Sequence, residues 1–122
     1  MRSAEARDEA LRALYEADQR RLEPDVTGLG RRAAEMARGV WAARDSLDEA
    51  IGEAATGWRV ERMPPIDRNI LRLALWELRH RPGTPMPVVI SEAVRLAKIY
   101  STERSGGFVN GVLARLAGER ED

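Results

Sequence analysis

The sequence predicts an all-α fold on three observations. Apolar residues recur at helical rather than alternating spacing, Ala, Leu, Arg and Glu dominate the composition, and strand signals are nearly absent. With 122 residues, 43% of them hydrophobic and 33% charged, the chain can bury a useful core, and residues 1–122 are expected to form one helical domain.

Residues 3–21 place Ala6, Ala10, Leu11, Leu14 and Ala17 on one stripe among charged positions, with Ser3 suited to cap the start. "RLEPDVTGLG" then breaks the pattern through Pro24, Gly28 and Gly30. A longer helix is expected over residues 29–55, where Ala33, Met36, Ala37, Val40, Leu47, Ile51 and Ala54 recur near the helical period with Trp41 beside them. Gly39 and Gly52 argue against an unbroken rod. Gly57 ends it, and "GWRVERMPP" is a connection whose Trp58, Val60 and Met63 suit a short helix or lid.

"PPIDRNILRLALWELRHR" is the strongest local signal. Pro65 fits a first helical turn, where its missing N–H has no intrahelical partner to lose, and Asp67 complements the positive helix end. Ile66, Ile70, Leu71, Leu73, Ala74, Leu75, Trp76 and Leu78 cover most of the circumference, which predicts a central helix with neighbours on several sides. Its last turn is basic, and Pro82-Gly83 stops it. "VVISEAVRLAKIY" gives a fourth helix with Val89, Ile90, Ala93, Val94, Ala97 and Tyr100 pointing roughly together. After "STERSGG" comes a final helix with Phe108, Val109, Val112, Leu113 and Leu116 on one side, followed by a "GERED" tail expected to fray. Asn110 and Gly111 sit inside that helix although both are poor helix formers, Gly costing about 1 kcal/mol against Ala.

Several function classes receive no support. Twenty basic and twenty acidic side chains balance to a formal charge of zero, so there is no global pull toward nucleic acid or membrane. There is no Cys, hence no disulfide and no thiolate ligand or nucleophile, which is compatible with the cytoplasm. No apolar run approaches the ~18 residues that span a bilayer, and "MRSAEARDEA" lacks the core of a signal peptide. No Gly-rich loop ends in Lys-Ser/Thr, and His80 is the one histidine, so neither a nucleotide loop nor a His- or Cys-rich metal site is expected, and no cofactor is expected. Asp67, Glu77, Glu92 and Glu103 have no nucleophile or binding loop beside them; Asp67 is explained by first-turn electrostatics and Glu77 by an i,i+4 pair with Arg81. No catalytic residue is identified, and the chain is read as a non-enzyme.

Trp41, Trp58 and Trp76 read as core, whereas Tyr15 fits a rim position and Phe108 stands beside two glycines where backbone can be approached closely. In "STERSGGFVNG", amides at a helix start suit an anionic group such as phosphate, Asn110 suits a base edge, and Gly111 permits close approach of a ligand or helix. The plainer reading has Gly111 allowing a tight helix crossing and Asn110 tying a loop. Sequence leaves both open.

"ALRALYEAD", "IDRNILRLALWEL" and "PVVISEAVRLAKIYSTERSGGFVNGVL" together, in this order, closely resemble the NusB family of bacterial transcription antitermination factors. The resemblance covers most of the chain and is more specific in its second half. It implies a compact helical domain of two helical subdomains and a role without catalysis: binding the boxA element of ribosomal RNA transcripts together with small-subunit ribosomal protein ten (NusE), within an RNA polymerase antitermination complex. Some members form homodimers, and a similar domain precedes the catalytic domain of certain ribosomal RNA cytosine methyltransferases.

Carried over residue by residue, the resemblance implies an RNA surface of Arg2 and Arg7 from a basic N-terminal segment, Tyr15 of the "ALY" element, Asp67 with Arg68 at the start of the central helix, and Arg104, Phe108 and Asn110 around the last loop. Arginines would neutralise phosphates, aromatic rings would stack on unpaired bases, and Asn or Asp would read polar base edges. The chain departs from the family pattern in places. "MRSAEARDEALR" sets three Arg against Glu5, Asp8 and Glu9, and Gly107 stands where a basic residue is common, while Arg104 falls at a position often acidic. Fewer phosphate contacts imply weaker RNA binding with a flatter salt dependence. An alternative is therefore a module that acts chiefly through the ribosomal protein or through self-association.

Overall fold

Five α-helices and one short 3₁₀ turn make up the regular structure, with no strand among the described residues. The structure is a computed structural model and describes residues 3–121. The helices are α1 (Ser3–Arg20), α2 (Arg31–Ala54), α3 (Pro65–His80), α4 (Met86–Tyr100) and α5 (Glu103–Glu121), with the 3₁₀ turn at Val60–Arg62 between α2 and α3.

Every expected helix forms, and the differences lie at ends and glycines. Helix α4 starts at Met86 because Pro87 is accommodated in its first turn. Helix α5 starts well before Phe108: the Thr102 hydroxyl accepts the Ser105 N–H at 3.1 Å and caps the helix. Gly106 and Gly107 are thus inside α5 rather than in a loop, and the expectation of an anion-binding helix start at those glycines is corrected. The helix then runs on to Glu121, through the segment expected to fray.

Gly39 does not interrupt α2. It faces α3, where a Cβ would lie 2.5 Å from the indole of Trp76, so the missing side chain is what lets the two helices pack around that ring. Trp76 is buried, stacked on His80 at 5.1 Å, with the Arg81 guanidinium 5.5 Å from its ring. Gly111, in contrast, is exposed, and a Cβ at that position would meet nothing within 4 Å, so this glycine serves no tight helix crossing within the chain.

Helix α3 is central, as its all-round hydrophobicity predicts. Asn69 to Leu78 are all buried, and α3 packs against each of the other four helices. It stands between α1 and α2 on one side and α4 and α5 on the other, and all five helices share one continuous apolar core.

Charged pairs tie the helices where apolar contact ends. Arg7 of α1 is 4% exposed and forms a two-pronged bond to Glu77 of α3 at 2.7 and 2.8 Å. Arg95 of α4 reaches Asp8 of α1 at 2.9 Å. Arg72 of α3 holds Asp48 of α2 through two bonds of 2.7 Å. The local Glu77 to Arg81 pair does not form; Glu77 goes to Arg7, and Arg81 goes to Glu35 at 2.6 Å. No helix among the described residues is long and apolar enough to cross a membrane.

Candidate nucleic-acid interface

The start of α3 and the start of α5 are joined by a chain of hydroxyls and a carboxylate. Asp67, in the first turn of α3, is 3% exposed, and its Oδ2 accepts the Ser105 hydroxyl at 2.8 Å. Because Ser105 has one hydroxyl proton and gives it to Asp67, its contacts with Ser101 at 2.9 Å and Thr102 at 3.0 Å are completed by those two hydroxyls donating. The other carboxylate oxygen, Oδ1, is buried and has no hydrogen-bond partner. Such an orphaned acceptor is rare in a folded protein, since it forgoes water without replacement.

Asp67 borders a cavity of about 410 Å³ whose other walls are Trp58, Met63, Pro64, Arg104, Ser105 and Phe108. That volume lies within the range of small-molecule sites. Phe108, in the second turn of α5, meets Trp58 edge to face, with ring centres 5.8 Å apart at 61°. Trp58 is 55% exposed, which corrects its assignment to the core. The turn that ends α2 puts it there: the Trp58 N–H bonds the Ala55 carbonyl at 2.9 Å, and Gly57 between them has φ 83°, a conformation that favours glycine. Arg104 is exposed in the first turn of α5.

Arg68 stands on the neighbouring side, in a larger polar cleft that also includes Trp58, Arg72, Asp45, Glu49 and Glu53. Its guanidinium is held by Asp18 of α1 at 2.6 Å. Asn69 also donates to Asp18 at 2.9 Å. Burial pushes the Asp18 carboxyl up, but the bonds from Arg68 and Asn69 and the charge of Arg72 outweigh it and hold its pKa below the ordinary aspartate range.

The sequence-derived candidates therefore separate. Asp67, Arg104 and Phe108 share the cavity, with Arg68 next to it in sequence and in the adjoining cleft. Tyr15 is half-buried one turn before Asp18 on the same face of α1, outside that cavity. Asn110 is exposed on another side of α5, along grooves between α4 and α5, and is not brought to Phe108. Arg7 is withdrawn as a phosphate contact, because its charge is buried against Glu77. Arg2 lies outside the described residues. Sequence reasoning did not place Trp58 at this cavity, and it did not single out Arg12, which lines neither the cavity nor the cleft. Arg12 is exposed on α1 and donates to the Tyr100 hydroxyl at 3.2 Å, a bond that favours its charged form. The one signal for Trp58 was its position directly after Gly57; Arg12 carried none beyond its charge.

Fold and site define an all-α domain that gathers aromatic rings, an exposed guanidinium and a buried carboxylate where α3 and α5 begin. Residues 4–118 match the model of the NusB family, and the chain belongs to that family. It is 54% identical over 85 residues to the transcription antitermination protein NusB of Sorangium cellulosum, an alignment covering 70% of this chain and 61% of that one. Across three such relatives the chain spans 61%, 62% and 64% of their length. Among solved structures it is similar to NusB of T. maritima, with TM-score 0.86, 33% identity, and 98% and 92% of the two chains covered. It is also similar to a crystal structure of the antitermination factors NusB and NusE in complex with dsRNA, with TM-score 0.82, 26% identity, and 95% and 96% coverage.

Proposed function

We propose that this protein is a non-catalytic cytoplasmic antitermination factor that holds single-stranded boxA RNA of ribosomal RNA transcripts together with small-subunit ribosomal protein ten (NusE), for delivery to an RNA polymerase antitermination complex. The observation that carries the reading is the cavity at the start of α5, in a chain of the NusB family: Phe108 supplies a ring, Arg104 a cation and Asp67 an acceptor within one small volume. Stacking, phosphate neutralisation and edge recognition are the three ways proteins hold unpaired RNA. Arg68 lies beside it, with its guanidinium held and its charge compensated by Asp18.

The test is a fluorescence-anisotropy titration of boxA RNA with and without the ribosomal protein. Phe108→Ala combined with Arg104→Glu is expected to lower affinity at least tenfold, from about 1–3 kcal/mol of lost stacking plus a reversed charge, with helicity intact. Wild-type affinity in that variant would remove both residues from the site.

A second reading has its own support. Arg7 is neutralised by Glu77, and the α1 segment from Glu5 to Arg12 sets Arg7 and Arg12 against Glu5, Asp8 and Glu9, so few cations face outward there. A chain with so few phosphate contacts fits a module acting mainly through the ribosomal protein or through self-association. RNA bound only in the presence of the ribosomal protein favours the antitermination reading; no RNA bound in either condition favours the second.

A further inference from the structure

We propose that Trp58 is an RNA-contacting residue: with Phe108 it forms an aromatic corner over Asp67 that takes one unstacked base and prefers a base with an exocyclic amine. The proposal rests on the RNA-binding reading above and names the ligand of that cavity. Three observations meet there. Trp58 exposes 55% of its surface although a large indole gains most by burial, and the turn at Gly57 holds it in that position. Its contact with Phe108 is edge to face at 5.8 Å, so the rings make a corner, not a slot. A base between parallel rings needs about 7 Å, twice a carbon–carbon contact, so a base here stacks on one ring and abuts the other. Beneath lies the Asp67 Oδ1, buried in a residue only 3% exposed and lacking any donor.

A carboxylate oxygen in this state accepts and cannot donate, so it selects a ligand edge bearing N–H. Oδ2 is already taken by Ser105, which fixes the carboxylate and leaves Oδ1 as a buried acceptor without a donor in a residue that lines the cavity. Adenine, guanine and cytosine carry an exocyclic amine that meets this need, whereas the one N–H on the uracil pairing edge, at N3, lies between two carbonyl oxygens that a carboxylate repels. Arg104 on the same wall is placed to neutralise the phosphate that enters with the base.

The experiment places 2-aminopurine at one position at a time in a short single-stranded boxA RNA and follows its fluorescence on binding to the full chain with ribosomal protein ten. One position is expected to be quenched by wild type; Trp58→Ala should abolish that quench and weaken binding about tenfold, while Trp58→Phe retains part of both. Circular dichroism checks that helicity is unchanged, since only the backbone N–H of Trp58 is bonded into the turn. At the quenched position, purine riboside, which has no amine, should bind more weakly than its amine-bearing counterpart, and Asp67→Asn should shrink that difference. Wild-type binding with no position-specific quench, or unaltered binding by Trp58→Ala, overturns the proposal while leaving the antitermination reading intact. Failure of the wild-type protein to bind the RNA at all overturns both.

Discussion

Arg7 and Glu77 meet in the interior, 5% and 2% exposed, and each is the other's principal compensation for leaving water. Removing one partner strands the other's charge, which is the expensive case: Arg7→Met is expected to destabilise the fold by about 3–5 kcal/mol. Replacing both, as Arg7→Met with Glu77→Leu, should recover most of that loss, because an apolar pair of similar size needs no hydration. Urea denaturation midpoints of the three variants check it, and a double variant no more stable than the single would sink the account. The same pair shows what sequence reading misses at this scale. A basic residue in an N-terminal helix looks available for phosphate, and its true partner is 70 positions away. Asp67 was legible as a residue of interest, but the bond to its Oδ2 comes from Ser105 on another helix, and its orphaned Oδ1 depends on which groups pack around it.

Among the elements, α2 and α5 depart most from local expectation. Gly39 lowers helix propensity, and Ala there would add about 1 kcal/mol of it. Its methyl would also overlap the Trp76 indole at 2.5 Å. Overpacking costs about 1–3 kcal/mol, and a rigid buried ring puts this case at the upper end, so Gly39→Ala is expected to lose about 2 kcal/mol net. An unchanged or raised thermal midpoint would contradict the packing assigned to that glycine. In α5, Thr102 starts the helix early enough to carry two glycines inside it. Helix periods were readable in every segment because burial imposes them, whereas this start depends on a single side-chain cap. Asn110, placed by sequence with Phe108, is two residues on and so points about 200° around the helix.

Across the molecule, Asp18 joins α1 to α3, and through Arg72 and Asp48 the link reaches α2. Because its pKa is lowered in the folded protein, the unfolded chain binds the proton more readily. The stabilisation is therefore present above the ordinary aspartate pKa and is lost as pH falls through the lower folded value, on the acid side of about pH 4. Asp18→Asn should lower stability at neutral pH and lose less on going from neutral to pH 3 than wild type does. Parallel acid-induced slopes for the two proteins, in denaturant titrations at each pH, would exclude Asp18 from the linkage.

By itself the sequence determined the all-α class, the five helices, the central position of α3 and, through its resemblance, the NusB family. Those follow from periodicity, capping residues and ordered motifs, which are written along the chain. Only the tertiary structure decided which charges are turned inward, as for Arg7, which face outward, as for Arg12 and Arg104, and that Trp58 joins Phe108 and Asp67 around one cavity. The physical reason is that solvation and hydrogen-bond satisfaction depend on neighbours in space, and helix packing brings those neighbours from segments that no local pattern connects.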